Sequence, residues 1–211
     1  ITLRHPQVVT KLNLPVNDRA ELTVKVVARN ATAAPVRGTL RGRAIVTHTE
    51  GGRTSAITLE KDVALAAGES REIVLSPAEV PELRLANPRL WWPAQYGEPA
   101  LHDLELELVV AGATSDRATA RFGIREVTAE RTPSGLVYSV NGRRILIRGA
   151  GWTSEMMLRY STERFEQEIA YVKDMGLNTM RLEGKLEDEP FFDIADREGI
   201  LVMLGWCCCD H

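Results

Sequence analysis

Near Arg125 the spacing of apolar residues changes, and that change constrains the fold more than any other feature of the chain. From Ile1 to about Arg125 apolar and polar residues alternate in short runs. AELTVKVVARN places Leu22, Val24 and Val26 on one side of an extended chain, and TLRGRAIVTH, SAITLEKDVAL, REIVLS, LHDLELELVV and RATARFGI repeat the pattern. Turn-forming residues cluster between the runs, at 31–35, 50–53, 66–70 and 112–116. At least six strands at this spacing predict an antiparallel β-sandwich over residues 1–125, immunoglobulin-like in its strand count. The Cys…Trp…Cys spacing of antibody domains is absent, so the count also leaves a jelly roll open.

Residues 126–211 follow a different rule. SGLVYSVNGRRILIRGA holds two β-rich runs joined by Asn141-Gly142, a pair suited to the positive φ angles of a type I′ hairpin. From Ser161 to Met175 the period is 3.6: Ser161 or Thr162 caps the start, and Phe165, Ile169, Val172 and Met175 form one stripe that Gly176 ends. A short strand, LNTMRLEG, a second helix, EPFFDIADREG, and an apolar strand, ILVMLGW, complete the pattern. Strands alternating with helices predict a parallel sheet covered by helices, in a doubly wound sheet or a (β/α)8 barrel. A barrel takes eight such units, and this region supplies about three strands: a truncated TIM barrel. With a start at Ile1 rather than Met, the chain is expected to be a fragment. The unpaired apolar edge at Ile200–Leu204 is then expected to favour self-association.

Charge and composition narrow the partners. The 211 residues are 44% hydrophobic and 26% charged, with a net charge of −3 and a pI near 5.9, the composition of a soluble globular protein. Lys and Arg are scattered, so no nucleic-acid partner is expected, and no run nears the roughly 20 apolar residues of a membrane span. No cofactor or metal is expected either: GxSxG, P-loop, HExxH and CxxC motifs are absent. Cys207, Cys208 and Cys209 are adjacent, and neighbours on an extended chain point to opposite sides, which does not make a tetrahedral zinc site. They are expected to be three thiols at a strand end. His5, His48 and His102 have no ligand-like neighbours and are read as surface or internally satisfied histidines.

Barrel enzymes meet their ligands at the C-terminal ends of the strands. With strands at about Ile145–Gly149, in LNTMRLEG and in ILVMLGW, that rule selects Trp152, Glu155, Arg181, Glu183 and Asp210 as one rim. Arg181 and Glu183 are two apart on a strand and share a face, either as a structural ion pair or as ligand-binding groups. Trp152 is either packing or a platform for a sugar ring. Glu187, Asp188 and Glu189 read as charges that open a helix.

NPRLWWPAQYGEPALHDLELEL (Asn87 to Leu108), FGIREV (Phe122 to Val127), NGRRILIRGAGWTSEMMLRY (Asn141 to Tyr160) and the stretch from Met175 to His211 resemble glycoside hydrolase family 2. Within it they are most similar to the exo-β-D-glucosaminidase branch, which trims glucosamine from chitosan ends. RGAGWTSEMMLR, RLEG and GWCCCDH separate that branch from the family's galactosidases and mannosidases. The resemblance implies a secreted, retaining glycosidase in which one carboxylic acid protonates the leaving oxygen while a second carboxylate attacks the anomeric carbon. In that family the acid/base sits after the fourth barrel strand and the nucleophile later still, beyond the three strands read here, so no catalytic residue is assigned and the fragment by itself is expected to be inactive. The implied partner is an amino-sugar oligosaccharide. Glu183, with Glu155 or Asp210 nearby, is expected to form an acidic subsite for the ammonium at C2 of glucosamine. Two alternatives compete: a non-catalytic carbohydrate-binding module with Trp91, Trp92 and Tyr96 as its platform, and a spacer that positions neighbouring domains. Another family 2 activity, β-mannosidase or β-galactosidase, is the alternative within the family.

Overall fold

The structure, a computed structural model, describes residues 1–133, 135–157 and 159–205. The expectations for Cys207, Cys208, Cys209 and Asp210 lie outside the described residues. The chain divides into two compact units, Ile1–Arg89 with His102–Glu126, and Leu90–Leu101 with the chain from Val127 onward.

The first unit is built from β1 (Thr2–Leu12), β2 (Arg19–Arg29), β3 (Val36–Thr47), β4 (Thr54–Leu65), β5 (Ser70–Leu75), β6 (Arg84–Ala86), β7 (His102–Val110) and β8 (Ala113–Phe122). All pairings are antiparallel. In one sheet β2 pairs with β1, β5 and β6; in the other the order is β4-β3-β7-β8. The period-two pattern becomes burial directly. Ala20, Leu22, Val24, Val26 and Ala28 of β2 are all buried, as are Leu40, Ala44 and Val46 of β3 and Leu104, Leu106 and Leu108 of β7. Each sheet thus hides one face, as the layers of a β-sandwich do. Each fully buried Leu or Val contributes about 1.5–3 kcal/mol over an exposed one.

His102 is one of the few polar groups in this interior, only 2% exposed. Its Nδ1 accepts from Thr47 N–H at 3.2 Å, and its Nε2 lies 2.8 Å from the Arg89 carbonyl, to which it donates in the matching neutral tautomer. It is an internally satisfied histidine, and burial pushes its pKa down.

The second unit opens with an antiparallel sheet of β9 (Val127–Thr132), β10 (Gly135–Val140) and β11 (Arg143–Ile145). Asn141 and Gly142 join β10 to β11 with φ of 50° and 74°, so the expected hairpin forms with both residues in the left-handed region. A second sheet is parallel, in the order β12 (Gly149–Trp152), β13 (Thr179–Leu182), β14 (Leu201–Met203). Between its strands run α1 (Thr162–Asp174) and α2 (Glu189–Glu198). Ser161 caps α1 by accepting from Arg164 N–H at 3.1 Å, and Gly199 closes α2 with φ 71°. Phe165, Ile169 and Val172 of α1 and Phe191, Ile194 and Ala195 of α2 bury against Met180, Leu182 and Ile200.

Two expectations are corrected here. The first parallel strand is Gly149–Trp152, not Ile145–Gly149; Ile145 belongs to the hairpin. The Arg148 carbonyl receives both Asn178 N–H and Thr179 N–H, and Asn178 Oδ1 accepts from Arg148 N–H, so pairing begins where Gly149 lets the backbones approach. A strand reading GAGW offers no β-branched signal. Met175, expected in the apolar stripe, is 54% exposed because α1 stops at Asp174 and the chain turns away at Gly176.

Candidate functional site

Because β12, β13 and β14 are parallel and in register at Gly151, Arg181 and Met203, their C-terminal ends share one edge. Side chains alternate across the sheet. Met180 and Leu182 point into the core formed with the helices, which leaves Arg181 and Glu183 on the opposite face. There Arg181 Nη1 donates to Glu183 Oε1 at 2.6 Å, with side-chain exposures of 58% and 42%. The carboxylate lies over the bare Cα of Gly151: a methyl group there would sit 3.0 Å from Oε1. An ion pair this open to water contributes only about 0–1 kcal/mol, too little to be what holds the sheet together.

Trp152 is on the other face. Beside Leu182 in register, its ring packs against Phe191 at 5.1 Å, and its indole N–H donates to Glu187 Oε1 at 2.8 Å. Its own carbonyl accepts from Glu183 N–H at 2.9 Å. Of its two readings from sequence, this is the packing one. Glu155 follows in the loop after β12, where its Oε2 accepts from Met157 N–H at 2.8 Å and Arg159 N–H at 3.0 Å. Those two amides, Arg159's first, hold its carboxyl below the usual range, so it is ionised and committed to shaping its own loop. The structure therefore brings Arg181 and Glu183 together, puts Trp152 behind them and Glu155 in the adjoining loop. Asp210 lies outside the described residues.

Glu187 was hidden in the charge run. Asp188 is the N-cap of α2 and Glu189 its first residue, as charges opening a helix should be, but Glu187 is buried, 6% exposed. It occupies the place just before the N-cap, where an apolar residue ordinarily packs back onto the helix; that position is the signal that separates it from its neighbours. Tyr160 stands at the same end of the sheet. Its hydroxyl pKa is raised, first by partial loss of water and then by Glu187, Asp188 and Glu155.

Trp91 and Tyr96 are engaged within the second unit, and Trp92 is half-buried. Trp91 is fully buried, with Nε1 donating to the Asp196 carbonyl at 2.7 Å; Trp92 packs against Gly97; and the Tyr96 hydroxyl accepts from Leu146 N–H at 3.0 Å while Arg143 stacks on its ring. A groove of about 400 Å³ runs between α1 and β12, lined by Trp152, Tyr171, Val172, Met175 and Leu177.

A family model described as glycosyl hydrolases family 2 matches residues 1–125. Over 211 residues the chain is 42% identical to the exo-beta-D-glucosaminidase of Streptomyces avermitilis and 41% identical to that of Amycolatopsis orientalis. Those matches cover all of this chain and 22% and 19% of the two relatives, so it spans about a fifth of their length. The crystal structure of the Amycolatopsis orientalis exo-chitosanase aligns with a TM-score of 0.83 at 40% identity, over 99% of this chain and 23% of that one. A complex of the same exo-chitosanase with PNP-beta-D-glucosamine aligns at 0.84, again at 40% identity and over the same shares.

Proposed function

The chain belongs to glycosyl hydrolase family 2, and on that footing we propose that the whole protein is a retaining exo-β-D-glucosaminidase. It would release β-linked glucosamine from the non-reducing ends of chitosan oligosaccharides. In this reading residues 1–125 are its immunoglobulin-like sandwich, and the parallel sheet of the second unit is the opening of a (β/α)8 barrel. The acid and the nucleophile, about 5–5.5 Å apart in retaining enzymes, belong to the remainder of that protein. What this chain contributes is substrate recognition.

The observation that carries the reading is Glu183, paired with Arg181 at 2.6 Å on the sheet face opposite the helix-facing core, in a chain so similar to exo-β-D-glucosaminidases. Glucosamine carries an ammonium at C2. A carboxylate beside it forms a charge-assisted hydrogen bond and favours the protonated amine, and a neutral sugar gains neither. Arg181 takes Oε1 and sets the carboxylate's direction, leaving Oε2 for the ammonium. Glu155 shapes the neighbouring loop, and Asp210 is proposed as a second carboxylate of the subsite. In the full-length protein, Glu183→Gln should raise KM for chitosan oligomers far more than KM for a neutral aryl glycoside. Equal losses on both substrates would sink the assignment.

A further inference from the structure

Both ends of the five-residue loop Glu183–Glu187 are fastened to one residue. At its start, Glu183 N–H donates to the Trp152 carbonyl at 2.9 Å; at its end, Glu187 Oε1 accepts from the Trp152 indole at 2.8 Å. The ring is itself held by Phe191, which meets Phe165 and Phe192 edge-on at 5.4 and 5.5 Å. The price of the arrangement is visible at Glu187 Oε2, which is buried and has no hydrogen-bond partner among the described residues. Packing alone favours an apolar side chain just before an N-cap, and an orphaned buried oxygen lowers stability. A carboxylate at this position therefore needs a reason other than packing.

We propose that Glu187 is a positioning residue: by accepting the Trp152 indole N–H it closes the loop onto a single anchor and so fixes where the Glu183 carboxylate stands. This rests on the reading of Glu183 as the group that recognises the amino sugar. The indole N–H at one end and the Glu183 N–H at the other tie the loop to Trp152, and a loop tied at both ends leaves Glu183 little freedom to drift from the ammonium. Trp152 thus serves the sugar from behind the sheet.

The test uses the full-length protein with Glu187→Ala, Glu187→Gln, Trp152→Phe and the Trp152→Phe/Glu187→Ala double variant. Glu187→Ala should raise KM for chitosan oligomers about tenfold and leave KM for a neutral aryl glycoside within about twofold. Glu187→Gln, which keeps an acceptor for the indole, should restore most of the loss. Trp152→Phe should reproduce Glu187→Ala, with the double variant no worse than either. Hydrogen exchange reads the clamp without any sugar: Glu187→Ala should speed exchange of the Gly184–Glu187 amides, and Glu187→Gln should not. Unchanged exchange in Glu187→Ala, equal KM changes on both substrates, additive effects or no rescue by Gln each overturn the proposal. If Glu183→Gln fails to discriminate between the substrates, the reading of Glu183 fails by itself. If it discriminates and Glu187→Ala does not, only the positioning role fails.

Discussion

Arg181 Nη1 stands 2.6 Å from Glu183 Oε1, two residues on in the same chain, and water reaches both side chains. So exposed a pair adds little to the fold, and either residue should be replaceable at small cost. Arg181→Gln and Glu183→Gln are each expected to change the unfolding free energy by less than about 1 kcal/mol, measured by urea denaturation. A loss of several kcal/mol would make the pair structural.

Phe191 is the opposite case. It is fully buried where Trp152, Phe165 and Phe192 converge, and Phe191→Ala should cost about 3–5 kcal/mol. Met175→Ala, at a residue 54% exposed, should change stability by less than about 0.5 kcal/mol. The same denaturation series compares them.

On the proposed reading of Glu183, Gly151→Ala should separate stability from substrate affinity. The new methyl group would stand 3.0 Å from Glu183 Oε1 and push the carboxylate aside, while alanine restricts the unfolded chain. The midpoint of unfolding should hold or rise, and KM of the full-length protein for chitosan oligomers should increase roughly threefold or more. Unchanged KM would show that Glu183 adapts without loss.

The order in the second unit that could be read from sequence was local. Asn141-Gly142 carries its own turn chemistry, and the stripes of α1 and α2 repeat within a few residues of themselves. β12 escaped because glycine leaves no side-chain pattern and its partner, Thr179, is thirty residues away. In the candidate site, the pairing of Arg181 with Glu183 on one face was legible from their spacing of two. Glu187 was not, since three consecutive acids look alike until the fold buries one of them, and only the pairing with Trp152 shows which.

His102 gives the first unit a pH dependence. Burial depresses its pKa below 6.5, so the folded state binds fewer protons than the unfolded one between the two values. Its contribution is complete above about 6.5 and is lost as pH falls through the folded value, where a proton on Nδ1 would face Thr47 N–H. Urea midpoints should drop between pH 7.5 and pH 5, and His102→Gln should lower the midpoint at pH 7.5 while flattening the slope.

Glu155 is also shifted downward. Its carboxyl, held down by the Arg159 and Met157 amides, caps the loop at neutral pH and releases it as pH falls through the depressed folded value. Glu155→Ala should speed exchange of those two amides at pH 7, and Glu155→Gln should largely preserve their protection. If both variants exchange like the parent, the cap is not what orders the loop.

Leu90–Leu101 is numbered within the sandwich but packs with the second unit, where Trp91 donates to the Asp196 carbonyl and its own carbonyl accepts from Asn141 Nδ2 at 3.0 Å. Exchange of modules between relatives therefore has a poor breakpoint at residue 125. A chimera joined there would inherit a tryptophan plug from one parent and its socket from the other, and only hybrids that carry the twelve-residue insert along with the downstream half would keep plug and socket from one lineage.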